Sequence, residues 1–262
     1  MTSVEKPVVS LRGADIPLVR SGSGRQVLVL HGGDGPVSHL PFATALSGDF
    51  ELLHPTHPGF DGSPIPEHFD GLQDLVFLYL DLIDSLDLRD AVLMGFAMGG
   101  WLAAEIASIM TGRTALFSKL VLVDSVGIKP GGPMDRDIAD VFAMSEKELL
   151  KATWHDQSYG PDLTVMTDEQ LQLLAADKVA HGLYTWEPYM HNPKLRHRLH
   201  RIDIPTLLIW GENDGIVTPQ YGEALRDLIP GASMSVISDA GHNPHVEQPG
   251  EFARIFGHFA AG

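Results

Sequence analysis

Short apolar runs bounded by turn residues recur along the chain and predict buried β-strands. The runs are Val27–Leu30, Phe50–Leu53, Ala91–Met94, Leu120–Val123, Thr206–Trp210 and Ser233–Ile237. Most of them are apolar without alternation, which is typical of strands that are covered on both faces of a parallel sheet. The segments between them have helical periodicity, most clearly Leu72–Leu86. This alternation predicts an α/β fold with a doubly wound, mostly parallel sheet.

One stretch interrupts the alternation of strands and helices. Between Asp124 and Thr206 the chain carries helical patterns and no clear strand. We therefore predict an α/β core formed by residues 1–126 and 202–262, and a helical cap inserted at residues 127–201.

The predicted cap contains two signals for helix starts. The run Ser145–Glu148 is typical of a helix N-terminus, and Thr167 can cap a second helix while Gln170 reaches back to it. Aromatic residues of the cap can form the roof of a pocket, for which Trp186 and Met190 are the candidate lining residues. The alternative is that these aromatic side chains pack a small core of the cap itself.

A glycine-rich turn follows the third predicted strand. Gly95 and Gly99 lie two residues on either side of Ala97, and a helical pattern runs through Trp101–Met110. Glycines at this spacing allow a sharp strand-to-helix turn with a strained residue at its centre. The pattern is that of a nucleophile elbow, G-x-S-x-G, with alanine in place of the serine. A turn that serves only packing is the alternative.

A second glycine-rich loop, His31–Gly35, follows the first predicted strand. Such a loop can aim a backbone N–H group at a developing oxyanion. We predict that Gly33 and Met98 donate the two N–H groups of an oxyanion hole. A flexible loop and a phosphate cradle are the alternatives, and the cradle is disfavoured because no lysine or arginine lies between Arg25 and Arg89.

A carboxylate and a histidine follow the last two predicted strands. Asp214 lies in the run W-G-E-N-D-G, and His242 lies in the run D-A-G-H-N. Parallel strands bring both loops to the edge of the sheet that carries the elbow. We predict that His242 is the general base and acid, and that Asp214 fixes its tautomer and stabilises the imidazolium. The order of elbow, acid and histidine is specific to this arrangement.

The amino-acid composition argues against several classes of binding partner and of chemistry. The formal net charge is −16, from 34 acidic and 18 basic residues, which argues against nucleic acid or an anionic membrane as a partner. No cysteine is present, so disulfides and thiolate catalysis are excluded. No apolar run is long enough to span a bilayer, and no signal peptide is evident. We therefore predict a cytoplasmic protein that acts on a small molecule, whose oligomeric state the sequence does not define.

No cofactor or metal is predicted. Triad chemistry needs neither, and no G-x-G-x-x-G fingerprint opens a helix after a strand. The histidines near the predicted site, His31, His54 and His57, lack the paired spacing of metal ligands.

Together these motifs resemble the α/β-hydrolase superfamily over Val27–Phe259. The oxyanion loop, the turn at Pro58–Phe60, the elbow, the acid and the histidine all match the family pattern. The stretch His191–Leu195 is also similar to bacterial esterases and meta-cleavage C–C hydrolases. The resemblance implies a capped serine hydrolase that cleaves an ester or lactone of a small apolar substrate. Hydrolysis of a C–C bond in a ring-fission diketone is the alternative reaction.

Ala97 departs from the family pattern at the nucleophile, because alanine has no hydroxyl group with which to form an acyl-enzyme. An engineered Ser→Ala variant, a natural non-catalytic ligand-binding relative, and chemistry that uses His242 and Asp214 without a serine are the three explanations. We favour the first, because the strained turn and the rest of the triad are retained.

Overall fold

The computed structural model describes residues 7–11, 13–36, 40–46 and 48–262. Within these residues the chain forms an eight-stranded sheet. Its strands are β1 (Val8–Leu11), β2 (Ala14–Gly22), β3 (Arg25–Leu30), β4 (Phe50–Pro55), β5 (Ala91–Phe96), β6 (Phe117–Val123), β7 (Thr206–Gly211) and β8 (Ser233–Ile237). Their order across the sheet is β1-β2-β4-β3-β5-β6-β7-β8. The pairs β1–β2 and β2–β4 are antiparallel and the other pairs are parallel, which confirms a mostly parallel sheet.

Helices cover both faces of the sheet. In the described residues they are α1 (Leu40–Leu46), α2 (Leu72–Ser85), α3 (Met98–Ile109), α4 (Glu146–Thr153), α5 (Asp168–Thr185), α6 (Pro219–Arg226), α7 (Pro244–Glu247) and α8 (Pro249–Ala261). The side chains of β3 alternate between two apolar cores: Val27 and Val29 pack with α1 and α8, whereas Leu28 and Leu30 pack with α2 and α3. Burial on both faces explains why the strands lack polar alternation. No helix of the described residues has the length and apolar character needed to cross a lipid bilayer.

The six strands predicted from apolar runs are all present, each at or slightly beyond its predicted bounds. Helix α3 begins at Met98, three residues before its predicted start, because the turn at Ala97 leads directly into helical backbone. The prediction omitted the hairpin of β1 and β2. The buried residues Ala14, Ile16 and Leu18 of β2 alternate with exposed or half-buried ones, and such a short alternation is a weak signal in the sequence.

The residues between β6 and β7 form helices α4 and α5 and several short 3₁₀ turns, with no strand. Both predicted helix starts are confirmed. Ser145 Oγ accepts the Glu148 N–H at 3.4 Å, and Thr167 Oγ1 accepts the Gln170 N–H at 3.3 Å. In each case the N3 side chain bonds back to the N-cap N–H, which completes a capping box. We call residues 127–201 the insert, with bounds that remain a prediction.

Candidate active site

Four parallel strands end at one edge of the sheet, and each is followed by a predicted site residue. Gly33 follows β3, Ala97 follows β5, Asp214 follows β7 and His242 follows β8. Because ligands of doubly wound sheets bind beyond the carboxyl ends of the strands, this edge is the candidate active site.

The elbow at Ala97 is tightly constrained. Its backbone lies at φ 46° and ψ −111°, a region that alanine rarely adopts. Its N–H group donates to the Val123 carbonyl at 2.9 Å. A Cβ atom on Gly99 would lie 2.2 Å from the Leu30 carbonyl oxygen, and one on Gly95 would lie 2.2 Å from the Gly99 oxygen. The glycines are therefore required by close backbone approach, as the sequence pattern indicates.

The variant Gly99→Ala is expected to lower the free energy of unfolding by about 3 kcal/mol, because its methyl group would overlap the β3 backbone. The matched control is Gly257→Ala in α8, where a Cβ atom meets nothing within 4 Å. This control should gain up to about 1 kcal/mol from helix propensity. Urea denaturation measures both effects, and equal unfolding midpoints for Gly99→Ala and the parent would contradict the expectation.

His242 and Asp214 form a hydrogen-bonded pair. His242 Nδ1 lies 2.8 Å from Asp214 Oδ2, and the Asp214 side chain is fully buried. The other oxygen, Asp214 Oδ1, accepts the N–H groups of Ile216 at 2.8 Å and Val217 at 3.1 Å. Burial alone would lower the pKa of His242, but the Asp214 carboxylate and the nearby Asp34 outweigh it, so that pKa is raised. The Nδ1–H tautomer leaves Nε2 available for proton transfer, as a general base requires.

The two predicted oxyanion donors have free N–H groups. Among the described residues, neither the Gly33 N–H nor the Met98 N–H has a hydrogen-bond acceptor. Met98 is the first residue of α3, so its N–H lies at the positive end of the helix dipole. A Cβ atom on Gly32 would lie 3.2 Å from the Ala97 Cβ, so the loop passes directly beside the elbow. This geometry suits an oxyanion hole, which remains a prediction.

Buried histidines hold the His31–Gly35 loop in place. The His57 N–H donates to His31 Nε2 at 3.0 Å, and His57 Nε2–H donates to the His31 carbonyl at 3.0 Å. The Tyr79 hydroxyl donates to His57 Nδ1 at 2.5 Å, and His31 Nδ1–H donates to the Gly32 carbonyl at 2.8 Å. Burial lowers the pKa of His31, and it lowers the pKa of His57 to about 4. Each ring is therefore a neutral hydrogen-bonding group that holds the loop in place.

Helix α5 of the insert contacts the His31–Gly35 loop. A Cβ atom on Gly33 would lie 2.6 Å from the His181 ring, and the Tyr184 hydroxyl donates to the Pro58 carbonyl at 2.9 Å. Burial lowers the pKa of His181 to about 4, so the ring that faces this loop is neutral. The sequence analysis did not identify His181, because one histidine within a polar helical segment has no distinguishing signal.

The C-terminal end of α4 contacts the two loops that carry Asp214 and His242. The Gly215 N–H donates to the Ala152 carbonyl at 2.9 Å, and the His242 N–H donates to the Thr153 carbonyl at 2.7 Å. A Cβ atom on Gly241 would lie 2.4 Å from the same Thr153 oxygen. The insert therefore holds the backbone directly after Asp214 and the backbone of His242 itself.

Glu247, a buried residue of α7, is a further site component that the sequence analysis did not identify. Its Oε2 accepts the Gly241 N–H at 2.6 Å, and its Oε1 accepts the Asp156 N–H at 2.8 Å. Because Gly241 precedes His242, this carboxylate joins the histidine loop to the insert. A glutamate that follows the histidine by five positions carries no recognised sequence signal.

Asp124 also reaches the site without having been predicted. It directly follows β6, has φ 42°, and its Oδ1 accepts the Gly211 N–H at 2.9 Å. Polar atoms of Asp124, Asp214 and His242 lie within 4.8 Å of one another. The 2.8 Å contact between His242 and Asp214 has the length of a charge-assisted hydrogen bond. A carboxylate directly after the strand beside the elbow strand was the available signal.

The two predicted lining residues occupy different surroundings. Trp186 is 59% exposed, and its ring packs against Phe142 and Tyr189, at centroid distances of 5.7 and 6.3 Å. Met190 is buried, and its N–H donates to the Thr185 carbonyl at 2.7 Å. The ring contacts of Trp186 match the alternative of packing within the insert. A lining role for either residue remains a prediction.

The chain is similar to known proteins over most of its length. A sequence model of the α/β hydrolase family matches residues 27–255. The chain is 28% identical to 3-oxoadipate enol-lactonase 1 of Acinetobacter baylyi, over 84% of this chain and 82% of that protein. It is 29% identical to 2-succinyl-6-hydroxy-2,4-cyclohexadiene-1-carboxylate synthase of Yersinia pestis, over 88% of this chain and 85% of that protein.

Solved structures show the same fold. A serine-to-alanine variant of a meta-cleavage product hydrolase from Pseudomonas fluorescens, complexed with acetates, aligns with a TM-score of 0.73 at 22% identity. That alignment covers 97% of this chain and 96% of the other. The family match, the eight-stranded sheet and the shared fold lead to one conclusion: the chain belongs to the α/β hydrolase family.

Proposed function

We propose that this chain has the site of a serine hydrolase in which a Ser-His-Asp triad lacks only its nucleophile. The observation that carries the proposal is the hydrogen bond between His242 and Asp214, formed at the edge that holds the strained turn at Ala97. A turn with only a structural role would not need a strained backbone at residue 97, because such strain costs about 1–3 kcal/mol. In the serine form, His242 Nε2 would take the hydroxyl proton, and Gly33 and Met98 would stabilise the oxyanion.

We propose an ester or lactone of a small, largely apolar molecule as the substrate. The similarity to an enol-lactonase supports this choice, and the similarity in fold to a meta-cleavage product hydrolase leaves C–C bond hydrolysis as the alternative. Comparing ester hydrolysis with cleavage of a dienol-type diketone by the serine form separates the two. We further propose that the protein is cytoplasmic and uses no cofactor, nucleic acid or membrane.

The proposal is tested by covalent labelling. The Ala97→Ser protein is expected to form a stoichiometric adduct with a fluorophosphonate, measured by intact mass, because His242 activates only a hydroxyl at the elbow. The parent chain and Ala261→Ser, which adds a hydroxyl at an exposed position on α8, should stay unlabelled. Absence of an adduct on the folded Ala97→Ser protein would refute the triad.

A second candidate is general-base chemistry without a serine. It is favoured by one observation: the His242–Asp214 pair is complete although residue 97, at the elbow, has no nucleophile. The similarity to a synthase is compatible with such a reaction. This candidate requires the Ala97 chain itself to exchange the acidic C–H proton of a ketone-type substrate for deuterium, and requires His242→Ala to abolish that exchange. The triad proposal requires neither result.

A further inference from the structure

Asp124 is a buried carboxyl group that the proposed triad does not use. It follows β6, next to the elbow strand, and its side chain lies beside that of Asp214. Its φ of 42° lies in the left-handed region, which residues other than glycine adopt only rarely. The Gly211 N–H bonds to its Oδ1 and so fixes the carboxyl group against the end of β7.

The second oxygen of Asp124 lacks a donor. Oδ2 is fully buried, and no N–H or O–H group of the described residues reaches it. Oxygens of the Asp124 and Asp214 carboxyl groups lie within 4.8 Å of each other, and a side-chain hydrogen bond between the two groups contributes to the raised pKa of Asp124. The Asp214 oxygens accept from two backbone N–H groups and from the His242 ring, which identifies Asp214 as the ionised member of the pair.

The charges around Asp124 disfavour a second anion. The groups that face it are the carboxyl groups of Asp214 and Glu247, and no lysine or arginine of the described residues forms an ion pair with it. The His242 ring is engaged by Asp214. A buried carboxylate without a cation and without a donor on one oxygen is strongly disfavoured. Protonation removes this cost and supplies the O–H donor that the geometry requires.

We propose that Asp124 is a neutral carboxylic acid that donates a hydrogen bond from Oδ2 to Asp214, so that the two side chains share one negative charge. Asp124 is thus a positioning residue: it acts on His242 through Asp214 and touches no substrate. This inference rests on the proposed function only in taking His242 as the base. Burial, followed by the Asp214 carboxylate, raises the pKa of Asp124, in agreement with the geometry.

The hydrogen bond has two consequences for the dyad. It orients the Asp214 carboxylate together with the loop N–H groups, and it lowers the basicity of that carboxylate. A less basic Asp214 holds the His242 imidazolium less strongly. Loss of the Asp124 hydroxyl should therefore raise the pKa of His242, whereas loss of a negative charge at residue 124 would lower it.

The pKa of His242 in the Ala97 protein distinguishes these cases without any enzymatic assay. It is measured by NMR titration of the imidazole, whose signal is assigned by its loss in His242→Gln. Asp124→Asn is expected to shift this pKa by less than about 0.5 because the amide N–H replaces the hydroxyl donor, and Asp124→Leu is expected to raise it by about 1. Asp239→Asn, which neutralises an exposed carboxylate in the same loop, is the matched control and should leave it unchanged.

A fall of about 1 or more in Asp124→Asn would show that Asp124 is ionised and would overturn the proposal. An unchanged value in Asp124→Leu would show that Asp124 does not contact Asp214, which also overturns it. If the leucine variant does not fold, infrared spectroscopy decides the matter. The parent at neutral pH should show the C=O band of a protonated carboxyl group, and Asp124→Asn should lack it. Neither measurement depends on whether Ala97→Ser is active.

Discussion

In a chain that carries Ala97→Ser, replacing His242 with alanine is expected to lower kcat on a nitrophenyl ester by a factor of about 10⁶. His242 is the group whose Nδ1 bonds to Asp214 and whose Nε2 is left to accept the serine proton. Without it the serine hydroxyl remains protonated and is a weak nucleophile. Asp214→Asn in the same background should lower kcat by a smaller factor of about 10⁴, because an amide at this position favours the opposite imidazole tautomer.

The losses should not add, because the triad residues act as one unit. The double variant of His242 and Asp214 is therefore expected to retain about the activity of the weaker single variant. His200→Ala, which changes an exposed histidine in the segment before β7, is the matched control and should keep full activity. If His242→Ala keeps kcat within about tenfold of the serine parent, the histidine is not the base and the triad assignment fails.

The stability of the protein is expected to fall steeply as pH is lowered from 6.5 to 4. Burial lowers the pKa of His54 and of His57 to about 4, and that of His245 to about 3. In the unfolded chain each of them titrates near 6.5, so between these values the unfolded state binds more protons. The stability that these neutral rings provide is complete above pH 6.5 and is lost as pH falls. By pH 4 the protein has lost about 3 kcal/mol of stability for each ring, which is a large part of a typical stability of about 5–15 kcal/mol.

His242 acts with the opposite sign, since Asp214 raises its pKa. Its contribution is complete at low pH and is lost as pH rises. Asp124, whose pKa is raised by burial, acts in the same direction, but the buried histidines with a lowered pKa are more numerous. Urea denaturation at a series of pH values measures the net slope, which is about 1.4 kcal/mol per pH unit for each proton. His57→Asn should reduce the slope by about one proton, whereas His68→Asn, at an exposed position, should leave it unchanged. A stability independent of pH between 6.5 and 4 would contradict the assignment of neutral buried histidines.

Features encoded by local spacing were accessible from the sequence. The strand Ala91–Phe96, the glycines around Ala97 and the capping boxes of α4 and α5 each depend on residues close together in the chain. The parallel topology then places Asp214 and His242 at the elbow edge, because chain direction alone decides where each strand ends.

Features encoded by three-dimensional packing were not accessible. Asp124 and His181 contact Gly211 and Gly33, which are distant from them in sequence, and Glu247 contacts the nearby Gly241 in a spacing that has no recognised sequence signal. The edge strand β1 was missed because a few half-buried residues resemble any surface segment. Exposure of Trp186 likewise depends on how α5 lies on the core, since a tryptophan in a helical segment is compatible with either face.

The hydrogen bonds that the end of α4 accepts limit which parts of the insert can be exchanged in chimeras of family members. The carbonyls of Ala152 and Thr153 hold the backbone at Gly215 and His242. A chimera that takes the whole insert from a relative with another backbone path at these two residues would also move the acid and the base. Transplanting substrate preference within this fold therefore calls for grafts that begin after Thr153, so that α5 can be replaced while α4 is retained.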